Sequence, residues 1–174
     1  MALEQLKELL PDFAKDIKLN FSNVLTEETG DRLTQIQLMG IALATAYSTK
    51  QPEVIMHFEQ EAETILSSEQ IFAAKSAATL MAMNNIYYRF SYLVDDHEIS
   101  VMPAKLRMMA MTNHGIDKID FELYSLAVSI INGCGKCVVA HREQLELHGL
   151  PKSAIHHVAR IAAVVNAAAA SLEI

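Results

Sequence analysis

Apolar residues recur at helical spacing along almost the whole chain, and strand-like alternation never persists beyond a few positions. The pattern predicts helices over 2–10, 11–24, 31–48 and 52–66. A long helix follows to about 92, opened by a capping box in which Ser67 pairs with Gln70. Residues 95–100 read as a polar loop and 103–109 as a short helix. Asn113-His114-Gly115 is a turn signal. Helices are expected over 117–131, from the cysteine pair to Gly149, and from Pro151 onward, with Asn132-Gly133 breaking the chain between the first two. Each of the 4 prolines (Pro11, Pro52, Pro103 and Pro151) falls where a first helical turn tolerates a missing N–H. Ala, Leu, Met, Glu, Gln and Lys dominate, so propensity agrees with periodicity and the expected class is all-α.

The pattern also repeats. At an offset of 84, Val54-Ile55-Met56-His57-Phe58-Glu59-Gln60 lies over Val138-Val139-Ala140-His141-Arg142-Glu143-Gln144. The 174 residues then read as a single domain built from two related units, a degenerate one over about 31–92 and a second over about 117–173. In this register Lys50, Glu53 and Leu38 of the first unit stand where the second has Cys134, Cys137 and Glu122. His57 is the scaffold counterpart of His141.

Composition narrows the chemistry. Half the residues (51%) are hydrophobic, which suffices for a sizeable core. The formal charge is −7 and no basic block occurs, which argues against a nucleic-acid surface. Neither a signal-peptide core nor a bilayer-spanning run is evident, so a cytoplasmic location is expected. In a reducing compartment a close cysteine pair is more often catalytic or metal-binding than a permanent staple.

The 2 cysteines, Cys134 and Cys137, stand two residues apart at the start of a helix, flanked by Gly133 and Gly135. That spacing brings two sulfurs within bonding range, and first-turn amides favour thiolate over thiol. His141 follows Cys137 by one helical turn and is placed as its base. If the flanking helices run antiparallel, Glu122 reaches His141 and fixes its tautomer, the general logic of nucleophile, base and orienting carboxylate. Zinc held by the same four residues is an alternative, as is a redox sensor without turnover. Glu122 alone would be an ordinary first-turn acid. His114 reads as a solvated turn residue, and His148, His156 and His157 as surface residues near helix ends. The methionines, among them Met81, Met83, Met108, Met109 and Met111, read as packing.

Glu122, eleven residues, Cys134-x-x-Cys137, three residues, His141: this series resembles the signature of the alkylhydroperoxidase D family, within the carboxymuconolactone decarboxylase-like superfamily. Leu9-Leu10-Pro11-Asp12-Phe13-Ala14-Lys15-Asp16-Ile17-Lys18-Leu19-Asn20 is similar to its N-terminal segment. Lys105-Leu106-Arg107-Met108 and Asp120-Phe121-Glu122 are similar to its middle. The resemblance covers essentially the whole chain. It implies a duplicated helical fold, a homotrimer, and an antioxidant peroxidase acting on alkyl hydroperoxides and hydrogen peroxide. It implies no bound cofactor. Electrons would come from dihydrolipoamide on the lipoyl domain of a 2-oxoacid dehydrogenase complex, cross the Cys134–Cys137 disulfide, and pass to a peroxiredoxin. Glu122 and His141 would relay protons. A decarboxylase on the same fold would not need two thiols. Some members carry a relay histidine where this chain has Lys136, which implies a simpler relay here and a less efficient peroxidase. Cys137 is expected to be peroxidatic, with Cys134 resolving and meeting the reductant.

Overall fold

A computed structural model of the chain describes residues 1–26 and 32–174. It contains α1 (Ala2–Leu9), α2 (Lys15–Val24), α3 (Gln35–Thr49), α4 (Pro52–Ala62), α5 (Ser68–Leu93), α6 (His97–Ser100), α7 (Lys118–Ile131), α8 (Gly135–Leu147) and α9 (Lys152–Ser171), with no strand among the described residues. The class is all-α. Among the described residues, no helix is long and apolar enough to cross a membrane.

Two helices form the centre. Leu38 to Ala46 of α3 and Phe121 to Ser129 of α7 are buried without interruption, so each is enclosed on every face by other parts of the fold. They pack on one another, and α5 and α9 lie against both. Close approach comes from small side chains: Ala73, Ala74, Ala77 and Ala78 of α5, and Ala154, Ala162, Ala168 and Ala169 of α9, are all buried. The α1 helix rests on α4, where the Leu3 amide donates to Glu61 Oε2 at 3.2 Å. The α2 helix rests on α9. There His157 Nε2 donates to the Val24 carbonyl at 2.8 Å, while Arg160 donates to its Nδ1 at 3.2 Å. His157 is thus a buried tie between helices, not the surface residue its position near a helix end predicts; with the buried Ala154 at i−3 and Ile161 at i+4 it shares the inner face of α9.

The starts of α3, α4 and α5 recur 83, 83 and 84 residues later as the starts of α7, α8 and α9. This is the arrangement a duplicated three-helix unit would give.

Several boundaries differ from the sequence pattern for local reasons. Residues 103–108 form no helix: Lys105 is left-handed (φ 51°), and only a single 3-10 turn follows at Met109–Met111. A left-handed residue in the middle of the stretch interrupts any helical run. Conversely, the expected loop at 95–100 holds α6, because Asp96 Oδ1 accepts the Ile99 amide at 3.0 Å and caps a single turn. Pro52 alone of the four prolines takes the first helical position; Pro11 and Pro151 are N-caps, preceding a 3-10 turn (Asp12–Ala14) and α9. The α4 helix stops at Ala62, short of 66. The expected helix start at 31 lies outside the described residues. The described helix begins at Gln35 with a capping box between Thr34 and Gln37. The Ser67–Gln70 box is formed as predicted.

At the α3–α4–α5 corner, the Tyr47 hydroxyl donates to Glu59 Oε1 at 2.6 Å and Lys75 Nζ lies 2.9 Å from the same oxygen. These two donors hold the Glu59 carboxyl below its usual range, while burial, with Glu59 beside it, pushes the Tyr47 phenol up. A lowered folded-state value means stability present above the ordinary glutamate range and lost as pH falls through the folded value. Tyr47→Phe should therefore lower Tm at pH 7, with the gap to wild type closing below about pH 4, near the unperturbed glutamate value. A gap as large at pH 3 as at pH 7 would show that the hydroxyl does not act through Glu59.

Candidate active site

The site is built at the break between α7 and α8. Gly133 takes the left-handed conformation (φ 65°) that few side chains adopt. Its amide bonds the Ile130 carbonyl at 3.1 Å and the next amide, of Cys134, bonds the Ser129 carbonyl at 3.2 Å. These two bonds define a Schellman end to α7. Cys134 is also the N-cap of α8, its Sγ accepting the Cys137 amide at 3.3 Å. One residue thus closes one helix and opens the next. The break is clamped from α5: Arg89 donates to the Asn132 carbonyl at 2.6 Å, Asn132 donates to Asn85 Oδ1 at 3.0 Å, and Asn85 donates to Ser129 Oγ at 2.9 Å.

Cys134 and Cys137 are joined as a disulfide. The pairs Ser129–Cys134, Glu122–His141 and Lys118–Gln144 show that α7 and α8 run antiparallel. Glu122 consequently meets His141, with Nδ1 to Oε2 at 2.7 Å and both side chains buried. A carboxylate only accepts, so Nδ1 carries the proton and Nε2 is left to act as base. A buried carboxylate needs such a partner to be tolerated. The four residues singled out by sequence lie together. His57 holds the corresponding place on α4, but its Nδ1 donates to the Glu53 carbonyl at 2.7 Å, and the position matching Glu122 is the buried Leu38.

A cavity of about 260 Å³ opens on this centre, lined by Met81, Asn84, Tyr88, Met108, Met111, Lys136, Cys137, Ala140 and His141. It reaches Cys137, which is 7% exposed, whereas Cys134 is fully buried. The expectation that Cys134 meets the reductant therefore does not fit its burial: as Schellman residue and N-cap together, it is enclosed between the two helices. Among the described residues, no three His, Cys, Asp or Glu side chains converge to hold a metal.

A carboxymuconolactone decarboxylase family model matches residues 100–174, which carry the whole motif. Over 164 residues the chain is 52% identical to an alkyl hydroperoxide reductase AhpD of Coxiella burnetii (strain Dugway 5J108-111), spanning 94% of this chain and 93% of that one. It is 46% identical over 173 residues to that of Bradyrhizobium sp. (strain ORS 278), spanning 99% and 94%. The chain belongs to the AhpD family. Azorhizobium caulinodans supplies a third AhpD, 47% identical over 173 residues.

Lys136 immediately precedes Cys137 and lines the cavity. Its Nζ sits 5.6 Å from the centre of the Tyr88 ring at the cavity rim, a cation on an aromatic face. His114 stacks on Phe121 at 4.5 Å, half-buried, and does not line the cavity. His148 and His156 are exposed, as predicted. Met81, Met108 and Met111 pack as expected but also wall the cavity. Sequence reasoning missed the contribution of α5: Asn84, Asn85 and Arg89. The signal that could have found it was an Asn-Asn pair directly after the apolar run Leu80-Met81-Ala82-Met83, where asparagine has poor propensity and needs another reason to be present.

Proposed function

We propose that this chain is an antioxidant alkyl hydroperoxide reductase that works through the Cys134–Cys137 pair. It takes electrons from dihydrolipoamide and delivers them to a hydroperoxide or to a peroxiredoxin. The observation that carries the reading is a helix-capping disulfide that opens through Cys137 on an apolar cavity, beside a buried His141–Glu122 pair. The names of the relatives support the peroxide chemistry.

In the reductive half, one thiolate of the donor attacks Cys137 Sγ, the sulfur that lines the cavity. Cys134 leaves as a thiolate, with the Cys137 N–H to accept from and the α8 N-terminus to steady its charge. The donor's second thiolate then displaces Cys137, and the donor departs as a cyclic disulfide. In the oxidative half, His141 Nε2 takes the Cys137 proton and the thiolate attacks the terminal peroxide oxygen. The O–O bond breaks and the alkoxide leaves with the proton from His141. Cys137 becomes a sulfenic acid. Cys134 attacks that sulfur, expels hydroxide, which leaves as water, and restores the disulfide.

A peroxiredoxin and a lipoyl domain are the proposed protein partners, in a reducing cytoplasm. Exposed Ile86, Phe90, Tyr92 and Leu93 on α5 offer apolar surface for the proposed homotrimer.

The test is NADH oxidation in a chain of dihydrolipoamide dehydrogenase, lipoamide, this protein and a hydroperoxide, with and without a peroxiredoxin. Turnover should require both thiols and vanish in Cys134→Ser/Cys137→Ser. Turnover only with peroxiredoxin would assign an adaptor. None in either arm would end this reading.

A further inference from the structure

The break between α7 and α8 carries a charge that its shape does not require. Neutral groups already fix it: Asn132 donates to Asn85 Oδ1, Asn85 donates to Ser129 Oγ, and the two Schellman bonds close α7. Arg89 adds a guanidinium whose Nη1 donates to the Asn132 carbonyl at 2.6 Å. No carboxylate pairs with Arg89 among the described residues, so no ion pair offsets its charge.

That charge stands close to one sulfur-bearing residue. A Cβ placed on Gly133 would lie 4.0 Å from Arg89 Nη1, and Cys134 is the next residue. Consecutive Cα atoms are about 3.8 Å apart, so the guanidinium is within about 10 Å of the Cys134 Cα. This is about one Debye length at roughly 0.1 M salt, too short for full screening. Asn132 is also the C-cap of α7, where the helix dipole presents about half a negative charge. Cys134 sits against that end, with its amide on the Ser129 carbonyl, and its side chain is fully buried. An anion on this sulfur is favoured by the α8 N-terminus and opposed by the α7 C-terminus. Arg89 lies on the end that opposes. Lys136, a second cation nearby, is held over Tyr88 and lines the cavity of Cys137.

We propose that Arg89 is a positioning residue for the redox step: it offsets the negative end of α7 beside Cys134, so that Cys134 leaves as a thiolate when the disulfide is reduced. The assignment rests on the thiol–disulfide function proposed for this pair. The reductant forms a bond to Cys137 Sγ, the S–S bond breaks, and Cys134 departs with the electron pair. The easier that anion is to hold, the faster it leaves. Arg89 touches neither the reductant nor the sulfur under attack.

The experiment is stopped-flow reduction of the oxidised protein by tris(3-hydroxypropyl)phosphine at pH 8. This reductant is neutral, so salt does not act on its approach. Its phosphorus bonds to Cys137, Cys134 leaves, and water converts the phosphonium to phosphine oxide and the Cys137 thiol. Reduction should slow about 5–10-fold in Arg89→Met, and in Arg89→Gln should methionine not fold, the range for a cation at a partly buried helix end. Arg89→Lys should stay within about threefold of wild type. Raising salt to about 1 M shortens the Debye length to about 3 Å and should narrow the gap between wild type and the methionine variant. An unchanged rate in the uncharged variants overturns the assignment. A gap that persists undiminished at high salt also overturns it, because the residue would then act through shape alone. A fall with dihydrolipoamide but not with the phosphine would assign Arg89 to steering an anionic donor and likewise overturn it. A wild-type disulfide that the phosphine opens and dihydrolipoamide does not would leave this role standing and end the proposed electron source.

Discussion

His141→Gln is expected to slow single-turnover oxidation by cumene hydroperoxide about 10²–10³-fold at pH 7, within the range for loss of a positioned general base. Glutamine is chosen because its amide can donate to Glu122 Oε2 in place of Nδ1–H, which avoids a buried carboxylate without a partner. The loss should shrink as pH rises. A thiol without a base ionises by itself near its ordinary value of about 8.5, so variant and wild type should converge above about pH 9. Glu122→Gln should give a related defect by another route. The carboxamide can donate to Nδ1, placing the imidazole proton on Nε2 and blocking the nitrogen that should accept from Cys137. Both rates are read by quenched thiol titration across pH. A defect that does not change with pH would mean that His141 shapes the site without moving a proton.

The second large effect concerns stability. Gly40 lies in the fully buried part of α3, and a Cβ there would overlap the ring and hydroxyl of Tyr124 on α7. Overpacking of this kind costs about 1–3 kcal/mol. With the ring fully buried the upper end applies, against the roughly 1 kcal/mol that alanine gains over glycine in a helix. Gly40→Ala should therefore lose about 2 kcal/mol net, a fall of about 4–8 °C in Tm for a chain of this size. The neighbouring change works the other way. The Tyr124 hydroxyl is buried with no partner among the described residues, and burial pushes its ionisation well above the ordinary phenol range. Tyr124→Phe removes that orphan and should raise Tm. Glu122 is two residues from Tyr124 on the same helix, so a ring pushed aside by Gly40→Ala should also slow peroxide turnover. A Tm for Gly40→Ala at or above wild type would show that α3 and α7 have slack that this packing denies.

The site was legible in the sequence wherever its logic is local. Cys134, Cys137 and His141 share one helix, so spacing alone puts them on one face, and the Asn132-Gly133 turn announces where that helix starts. Glu122 needed one step more, an antiparallel return across a short break. The cavity was not legible. Its wall comes from α5 and from residues 108–111, far apart along the chain, and no periodicity relates Asn84 to Cys137. The same limit hid the burial of His157, whose partner Val24 is 133 residues away. Residues 103–108 misled for the opposite reason: proline and good helix formers are present, but the left-handed Lys105 interrupts any helical run.

Cys134 closes α7 and caps α8 at once, which leaves no spare residue between the two helices. Connections that merely span a gap accept extra chain at small entropic cost. Residues 103–107, outside any helix and ahead of the cavity wall, form such a connection and should accommodate inserted residues or a reporter peptide. The step from Ile131 to Gly135 should accept none. A single added residue there would detach the cysteine from one helix or the other, and would rotate His141 about 100° away from its carboxylate. The redox centre is therefore specified by chain length as strictly as by residue identity, and natural variation in length should be found beside this hinge but never within it.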